Sequence, residues 1–222
     1  MKRAVELRLD AWLASSASHP LVLRGARQVG KTWLVRDLAA RAERQLVEIN
    51  FERDPALKRL FSANDPRQIL GELSLALSVD INFDRSLLFL DEIQAAGKVL
   101  AKLRWFYEEL PQLPVVAAGS LLEFSLADHA FSMPVGRIAF QHIEPMGFSE
   151  YLLAHGQGRL LSAMRAWRPG QKLSVAAHEQ AERWFSRYAM VGGMPAVVAA
   201  DVAGREPRVV RELQKELLAA YR

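Results

Sequence analysis

An eight-residue segment near the amino terminus has the residue types of a phosphate-binding loop. Residues 25–32 read Gly-Ala-Arg-Gln-Val-Gly-Lys-Thr, which fits the pattern G-x-x-x-x-G-K-[ST]. The glycines let the backbone curl so that N–H groups point into one concavity, and the helix that follows adds partial positive charge there. Lys31 can then reach the β- and γ-phosphates, and the Thr32 hydroxyl can coordinate Mg²⁺. We predict that a nucleotide is held by Gly25, Ala26, Arg27, Gln28, Val29, Gly30, Lys31, Thr32 and Trp33.

A pair of acidic residues follows the most apolar segment of the chain. Leu87–Leu90 contains four large apolar residues, which is typical of a strand buried on both faces of a parallel sheet, and Asp91 and Glu92 come directly after it. Nucleotides bind at the carboxyl edge of such sheets. There Asp91 can hold Mg²⁺ through its water shell, and Glu92 can orient and deprotonate an attacking water. The alternative is that polar residues simply end a strand, but the upstream phosphate loop favours the functional interpretation.

The elements that must position these motifs alternate between strands and helices. Apolar runs predict strands at Leu21–Arg24, Gln45–Phe51, Arg85–Leu90, Val115–Ala118 and Arg137–Ile143. Helical periodicity predicts helices at Val5–Leu13, Lys31–Arg44, Pro66–Ser78, Lys98–Leu110 and Leu121–Met133, and then at residues 147–155, 174–190 and 206–221.

This order of elements predicts an α/β fold of the P-loop NTPase type. Helices would sandwich a parallel β-sheet in residues 1–144, and a small all-helical lid subdomain would follow in residues 145–222. The last helix reaches Arg222 without a glycine cap, so we expect the chain to stop before a further domain.

Composition excludes several classes of protein. The 222 residues contain no cysteine, which excludes disulfides, zinc fingers and thiol catalysis. The basic start lacks the apolar core of a signal peptide, and the uncharged runs are too short to span a bilayer, which predicts a cytoplasmic protein without a membrane segment. The net charge of +4 is scattered, so it permits contact with nucleic acid but supports it only weakly.

Six motifs together carry a resemblance to a known family. They are Gly25–Thr32, Phe89–Gln94, Ala118–Phe124, Pro134–Arg137, Glu144–Tyr151 and Gly192–Pro195. With these motifs in this order, nearly the whole chain resembles the AAA-type prokaryotic ATPases of unassigned role. In that family an ATPase core is followed by a helical lid and then by a C-terminal domain of unknown function, sometimes likened to a restriction nuclease. The resemblance implies an ATPase module that uses ATP and Mg²⁺.

The resemblance also implies roles for three residues outside the phosphate loop. Ser120 matches the γ-phosphate-sensing position of P-loop ATPases that have an additional catalytic glutamate, although a serine can equally begin a turn. Pro195 matches a Gly-x-Pro turn that places the lid against the adenine in related ATPases, or it starts an ordinary inter-helix turn. Arg137 could act in the site of a neighbouring subunit, or it could pair with a nearby carboxylate such as Glu144.

Three functions remain open from the sequence. The first is an ATP-hydrolysing switch or motor, in which Lys31, Glu92, Ser120 and Arg137 act on the γ-phosphate. The second is a nucleotide-binding regulatory module with little turnover, which reports ATP to an attached C-terminal domain or to a partner protein. The third is a P-loop kinase, which Glu92 disfavours because a kinase must exclude water. The sequence also leaves open a nucleotide-dependent homo-oligomer. The absence of an Asn-Lys-x-Asp sequence favours ATP over GTP.

Overall fold

The structure is a computed structural model that describes residues 1–15, 19–120 and 136–221 of the chain. It divides into two compact units, one formed by Val5–Ile143 and the other by Met1–Ala4 with Glu144–Arg222. Across the described ranges, no helix combines the length and the apolarity that crossing a bilayer requires.

The unit formed by Val5–Ile143 is built on a parallel β-sheet. Its described strands follow the spatial order β2-β3-β4-β1-β5, so that β4 lies between β1 and β3. All neighbours run parallel, which brings the carboxyl ends of the strands to one edge. The strands are β1 (Leu21–Arg24), β2 (Gln45–Asn50), β3 (Ser86–Asp91), β4 (Val115–Gly119) and β5 (Ala139–His142).

Burial of the strands follows their position in the sheet. Every residue of β3 and β4 is buried, as expected for central parallel strands with helices on both faces. The edge strand β5 instead alternates between half-buried and exposed residues. The helices that pack in this unit are α1 (Glu6–Ala14), α2 (Lys31–Arg41), α3 (Pro66–Leu77) and α4 (Gly97–Glu109), with 3₁₀ turns at Pro55–Phe61 and Ile93–Ala96.

Most of the predicted elements of this unit are present, with shifted ends. The α2 helix stops at Arg41 and not at Arg44, because Glu43 adopts a left-handed φ of 51° that turns the chain toward β2. The helix predicted at Leu121–Met133 lies outside the described residues. The α/β fold class is confirmed, since helices flank a parallel sheet and further helical segments follow it.

The second unit is helical throughout its described elements. Two of its helices, Gly158–Ala166 and Pro195–Val202, were not predicted, and they begin at a glycine and a proline. Proline is in fact favoured at the first position of a helix. The helices are α5 (Phe148–Ala154), α6 (Gly158–Ala166), α7 (Val175–Val191), α8 (Pro195–Val202) and α9 (Pro207–Ala219).

A close backbone contact joins two segments of this helical unit. Met146 N–H donates to the Gly193 carbonyl oxygen at 2.6 Å, and the Tyr188 hydroxyl donates to the Met146 carbonyl oxygen at 2.8 Å. A Cβ added at Gly193 would lie 2.2 Å from the Met146 carbonyl oxygen. Only glycine therefore fits at position 193 without displacing the backbone of residue 146.

A buried carboxylate ties three helices of the same unit together. Asp201 of α8 accepts a hydrogen bond from the Tyr151 hydroxyl at 2.5 Å and one from Arg187 Nη2 at 2.8 Å. His155 Nε2 lies 3.0 Å from Asp201 Oδ2, but at an angle unsuited to a hydrogen bond. Burial alone would raise the pKa of Asp201, but the hydrogen bonds from Arg187 and Tyr151 outweigh it and hold that pKa below its ordinary value.

Replacing this carboxylate should destabilise the helical unit in a pH-dependent way. Because the pKa of Asp201 is lower in the folded state, its stabilisation is fully present above the unfolded pKa near 4 and is lost as pH falls through the folded value. We expect Asp201→Asn to lower the free energy of unfolding by about 1.5–3 kcal/mol at pH 7, and by less at pH 3. Urea unfolding followed by tryptophan fluorescence at both pH values measures this. An equal loss at both would show that the charge contributes nothing.

Candidate functional site

The loop between β1 and α2 has a backbone that requires glycine. Gly25 has φ 142°, and a Cβ there would lie 2.1 Å from the Ile143 carbonyl oxygen. Gly30 has φ 92° and precedes α2 directly as its N-cap residue. Gln28 also has a left-handed φ, 63°, which is uncommon for a residue with a side chain. Such alternation of backbone conformation turns successive N–H groups inward and produces a concave anion site at a helix amino terminus.

Lys31 is the first residue of α2, and its side chain folds back under this loop. It is only 7% exposed, and its Nζ donates to the carbonyl oxygens of Gly25 at 2.8 Å and Ala26 at 2.7 Å. Burial lowers the pKa of Lys31, and the neighbouring carboxylates of Glu92 and Asp91 oppose this shift. An ammonium carries three protons, so a group held in this way can donate to an anion and to the loop at once.

Thr32 and Asp91 come together across α2 and β3. The Thr32 hydroxyl donates to Asp91 Oδ2 at 3.1 Å, and Asn50 Nδ2 lies 3.3 Å from the same oxygen. Asp91 is buried, and burial followed by repulsion from Glu92 raises the pKa of its carboxyl above the ordinary value. A hydroxyl oxygen and a carboxylate side by side are the ligand types of a hard divalent cation that keeps most of its waters. These residues therefore fit Mg²⁺ bound together with phosphate oxygens.

Glu92 lies at the carboxyl end of β3 in a strained conformation. Its φ of 51° is left-handed, which turns the chain sharply away from the sheet edge into the 3₁₀ turn at Ile93–Ala96. Gln94 Nε2 donates to Glu92 Oε2 at 2.6 Å and to Glu52 Oε1 at 3.2 Å. One amide group thus bridges two carboxylates and fixes the direction of the Glu92 side chain.

Ser120 follows β4 at the same edge of the sheet. Its hydroxyl oxygen is buried and has no hydrogen-bond partner among the described residues. Gly119 pairs in register with Arg24, the residue just before the phosphate loop, so Ser120 lies next to the start of that loop. A buried hydroxyl without a partner is costly, which favours a polar ligand group at this position.

The remaining residues predicted to bind the nucleotide occupy different surroundings. Ala26, Arg27 and Gln28 are exposed on the loop, while the Val29 side chain is fully buried and anchors it. Trp33 is 45% exposed on the first turn of α2. Pro195 is the first residue of α8 in the helical unit. Contact of Trp33 or Pro195 with the nucleotide stays a prediction.

Arg137 contacts a carboxylate other than the one suggested by the sequence. Its Nε lies 2.9 Å from Glu108 Oε1 in α4, whereas the sequence pointed to Glu144, its nearest acidic residue along the chain. Glu108 also pairs with Arg104 at 3.0 Å. The hydrogen bond from Arg137 is the main cause that lowers the pKa of Glu108. Arg137 thus has a structural partner within its own unit.

We expect Arg137→Ala to have small effects. The ion pair is solvent-exposed, and such pairs contribute little, so the melting temperature should fall by less than about 2 °C. ATPase activity per molecule should change by less than about twofold and stay independent of protein concentration. An arginine acting on a neighbouring subunit would instead lower the rate by about 10³–10⁵-fold. Mixing Arg137→Ala with Lys31→Ala protein separates the two interpretations, because recovered activity would show that Arg137 acts between subunits.

Three polar residues that support the acidic pair were not predicted from the sequence. Asn50 is the last residue of β2, and it pairs in register with Asp91 at the end of the neighbouring strand β3. Glu52 and Gln94 lie beyond the ends of β2 and β3. A polar residue at the end of a strand next to the strand with the acidic pair indicates a contact with that pair. Asn50, at the end of the predicted strand Gln45–Phe51, is such a residue.

The strand order and the loop between β1 and α2 define the class of this protein. A parallel sheet with β4 between the loop strand and the acidic strand, flanked by helices, is a P-loop NTPase α/β fold. The family model described as AAA domain matches residues 17–152, more than half of the chain. The chain therefore belongs to the AAA domain family, as the six sequence motifs predicted, and is an AAA-type nucleotide-binding ATPase module.

Many solved structures resemble the chain, among them these two. The Walker-type ATPase PABY2304 of Pyrococcus abyssi is 18% identical, with a TM-score of 0.56 over 96% of this chain and 73% of that chain. The second, C. elegans PCH-2, is 14% identical, with a TM-score of 0.44 over 85% of this chain and 57% of that chain. The first similarity supports the fold. No curated protein matches the chain in sequence.

Proposed function

We propose that this chain binds ATP with Mg²⁺, hydrolyses the γ-phosphate, and uses the cycle as a switch or motor for an attached domain or partner protein. The observation that carries the proposal is the hydrogen bond between Thr32 and Asp91 at 3.1 Å, beside the buried Lys31 ammonium. Two oxygen ligands and one cation converge where the phosphate loop ends. This is the set of groups that a nucleoside triphosphate with its metal requires.

Each residue has a defined part in the proposed reaction. Loop N–H groups and Lys31 would hold the β- and γ-phosphates, and Thr32 and Asp91 would hold Mg²⁺, which neutralises charge on the transferred group. Glu92 would accept a proton from the attacking water and direct its oxygen in line with the bond that breaks. Ser120, with its buried hydroxyl, would donate to a γ-phosphate oxygen.

A regulatory module with little turnover is the second candidate. Gln94 Nε2 donates a hydrogen bond to Glu92 Oε2 at 2.6 Å. This bond occupies one carboxylate oxygen that would otherwise accept the proton of the attacking water. Such a site would bind ATP and hydrolyse it slowly until Glu92 is released. In this alternative, Glu92 would be released by a further domain, a partner protein, nucleic acid or a second copy of the chain.

Phosphate release measured with ATP, with and without Mg²⁺, tests the main proposal. We expect ADP and inorganic phosphate as products, a rate that EDTA abolishes, and slower release from GTP. Binding of ATP without any release of phosphate would favour the regulatory module. Absence of ATP binding, measured by titration calorimetry, would overturn both candidates.

Removing the side chain that holds Glu92 should lower the rate without changing binding. Gln94→Ala deletes the amide between Glu92 and Glu52, so the base loses its fixed direction. A displacement of about 1 Å at a reacting group lowers the reaction rate by up to about 10²-fold, so we expect kcat to fall by about 10–100-fold. The dissociation constant for ATP should stay within about threefold, and Gln141→Ala, on edge strand β5, is the control. A higher rate in Gln94→Ala would support the regulatory module.

A further inference from the structure

A groove on the helical unit lies outside the nucleotide site and has no assigned role. Its volume is about 950 Å³, and residues of α7, α8 and α9 line it. Met190, Val191, Pro207 and Val210 contribute its apolar surface. Met190 is 72% exposed, which is a large apolar side chain presented directly to solvent. Methionine is common on surfaces that accept a partner, because its flexible thioether adapts to different shapes.

The walls of this groove are fixed by specific contacts. Gln214 of α9 donates from Nε2 to the carbonyl oxygens of Met190 and Val191, both at 2.8 Å. These carbonyls end α7 and have no partner within their own helix, so the amide satisfies them and joins the two helices. Gly204, with φ 68°, makes the left-handed turn that leads from α8 to α9. The groove is therefore part of the packed unit.

The rim of the groove carries an excess of positive charge. Arg183, Arg187, Arg205 and Arg211 line it, against Asp201 as the acidic residue. Arg187 pairs with Asp201 at 2.8 Å, so the negative charge of that carboxylate is compensated by Arg187. Within the described part of the chain, the side chains of Arg183, Arg205 and Arg211 form no ion pair or hydrogen bond. Three unpaired guanidinium groups around an apolar floor favour a ligand that is both apolar and acidic.

We propose that this groove binds an acidic amphipathic helix of a partner protein. Apolar side chains at successive turns of that helix would pack on Met190 and Val210, and glutamate or aspartate on its flanks would pair with Arg183, Arg205 and Arg211. The walls α7 and α9 contain 17 and 13 residues, which is long enough to accompany two to three turns of a bound helix.

The lining of the groove disfavours nucleic acid as the occupant. Proteins that bind single strands without sequence preference stack bases on aromatic side chains. Among the described residues that line this groove there is no aromatic ring. Phosphate groups could pair with the arginines, but they would leave the apolar floor uncovered. An amphipathic helix covers the floor and pairs with the rim at the same time.

Three labelled peptides and one oligonucleotide test the occupant. The first probe is a 15-residue helical peptide with leucines along one face and glutamates on both flanks. The second has the same composition with the leucines dispersed, the third carries lysine in place of glutamate, and the oligonucleotide is a 15-nucleotide single strand. In fluorescence anisotropy we expect the first peptide to bind with a dissociation constant of about 1–100 µM, and the others at least about tenfold more weakly.

Charge-reversal variants locate the binding to this groove. The double variant Arg183→Glu with Arg211→Glu should weaken binding of the acidic peptide by at least about tenfold. It should strengthen binding of the lysine peptide. The control is Arg165→Glu with Arg208→Glu, which changes the net charge equally at two exposed arginines outside the groove; Arg208 is 86% exposed and pairs with Glu212. Met190→Asp should also weaken the acidic peptide, while circular dichroism shows each variant folded.

Three outcomes would overturn the proposal. Equal binding of the dispersed peptide would show attraction by charge alone. An equal loss in the control double variant would place the binding elsewhere on the surface. Tighter binding of the oligonucleotide, with displacement of the acidic peptide, would show a nucleic-acid site. None of these measurements depends on ATP hydrolysis, so they stand apart from the function proposed for the phosphate loop.

Discussion

Glu92→Gln should abolish most ATP hydrolysis and leave ATP binding intact. The amide has the size and hydrogen-bonding reach of the carboxylate but cannot accept the proton of an attacking water. Loss of a general base lowers the rate by about 10²–10⁴-fold, and we expect kcat to fall within this range. The dissociation constant of ATP with Mg²⁺ should change by less than about threefold, because Glu92 contacts water and not the phosphates in the proposed reaction. Single-turnover phosphate release and titration calorimetry measure the two quantities.

Glu52→Gln is the matched control for this variant. It removes the other carboxylate that Gln94 contacts, at 3.2 Å, so it changes charge by the same amount in the same network. We expect its kcat to stay within about fivefold of the wild type. A large loss in Glu52→Gln with a small loss in Glu92→Gln would mean that the base has been assigned to the wrong carboxylate. Wild-type protein without measurable turnover would make the regulatory module the better description.

The approach of Thr32 to Asp91 could be predicted from sequence because topology dictates it. Parallel strands end at one edge, and a loop that leaves one strand there must lie near the acidic end of a nearby strand. The G-x-x-x-x-G-K-[ST] motif places Thr32 at the end of the phosphate loop, and the apolar run Leu87–Leu90 places Asp91 at the end of a buried strand. No long-range geometry beyond the parallel sheet was needed to bring the two side chains together.

The contacts of Asn50, Gln94 and Arg137 depend on information that sequence spacing does not contain. Asn50 reaches Asp91 because β2 pairs with β3 in one register, and a shift of one residue would turn its side chain away. Gln94 bridges Glu92 and Glu52 only because the chain turns sharply at the left-handed Glu92. Arg137 pairs with Glu108, which lies 29 residues earlier on α4, and spacing along the chain does not indicate a contact over that distance.

Lys31→Ala should weaken ATP binding more than any other single change in the loop. The buried ammonium lies beneath the loop and would donate directly to the β- and γ-phosphates. Hydrogen bonds to charged groups contribute about 1.5–3 kcal/mol, so affinity should fall by about 10–150-fold. Titration calorimetry with ATP and Mg²⁺ measures the loss. Lys98→Ala, which removes an exposed lysine of α4, controls for the change in net charge.

Thermal unfolding distinguishes lost binding from lost structure in this variant. Because burial lowers the pKa of Lys31, the folded state binds its proton less tightly than the unfolded chain, and wild-type stability rises as pH increases through the interval below the ordinary value of 10.5. At pH 7 the wild type carries the whole cost of burying the charge. Lys31→Met keeps a long apolar side chain but removes the charge and its two hydrogen bonds to the loop carbonyls. Relief of the buried charge offsets the lost hydrogen bonds, so we expect this variant to melt close to the wild type without nucleotide, while it binds ATP as poorly as Lys31→Ala. Unchanged ATP affinity in a folded Lys31→Met protein would show that the loop does not hold phosphate.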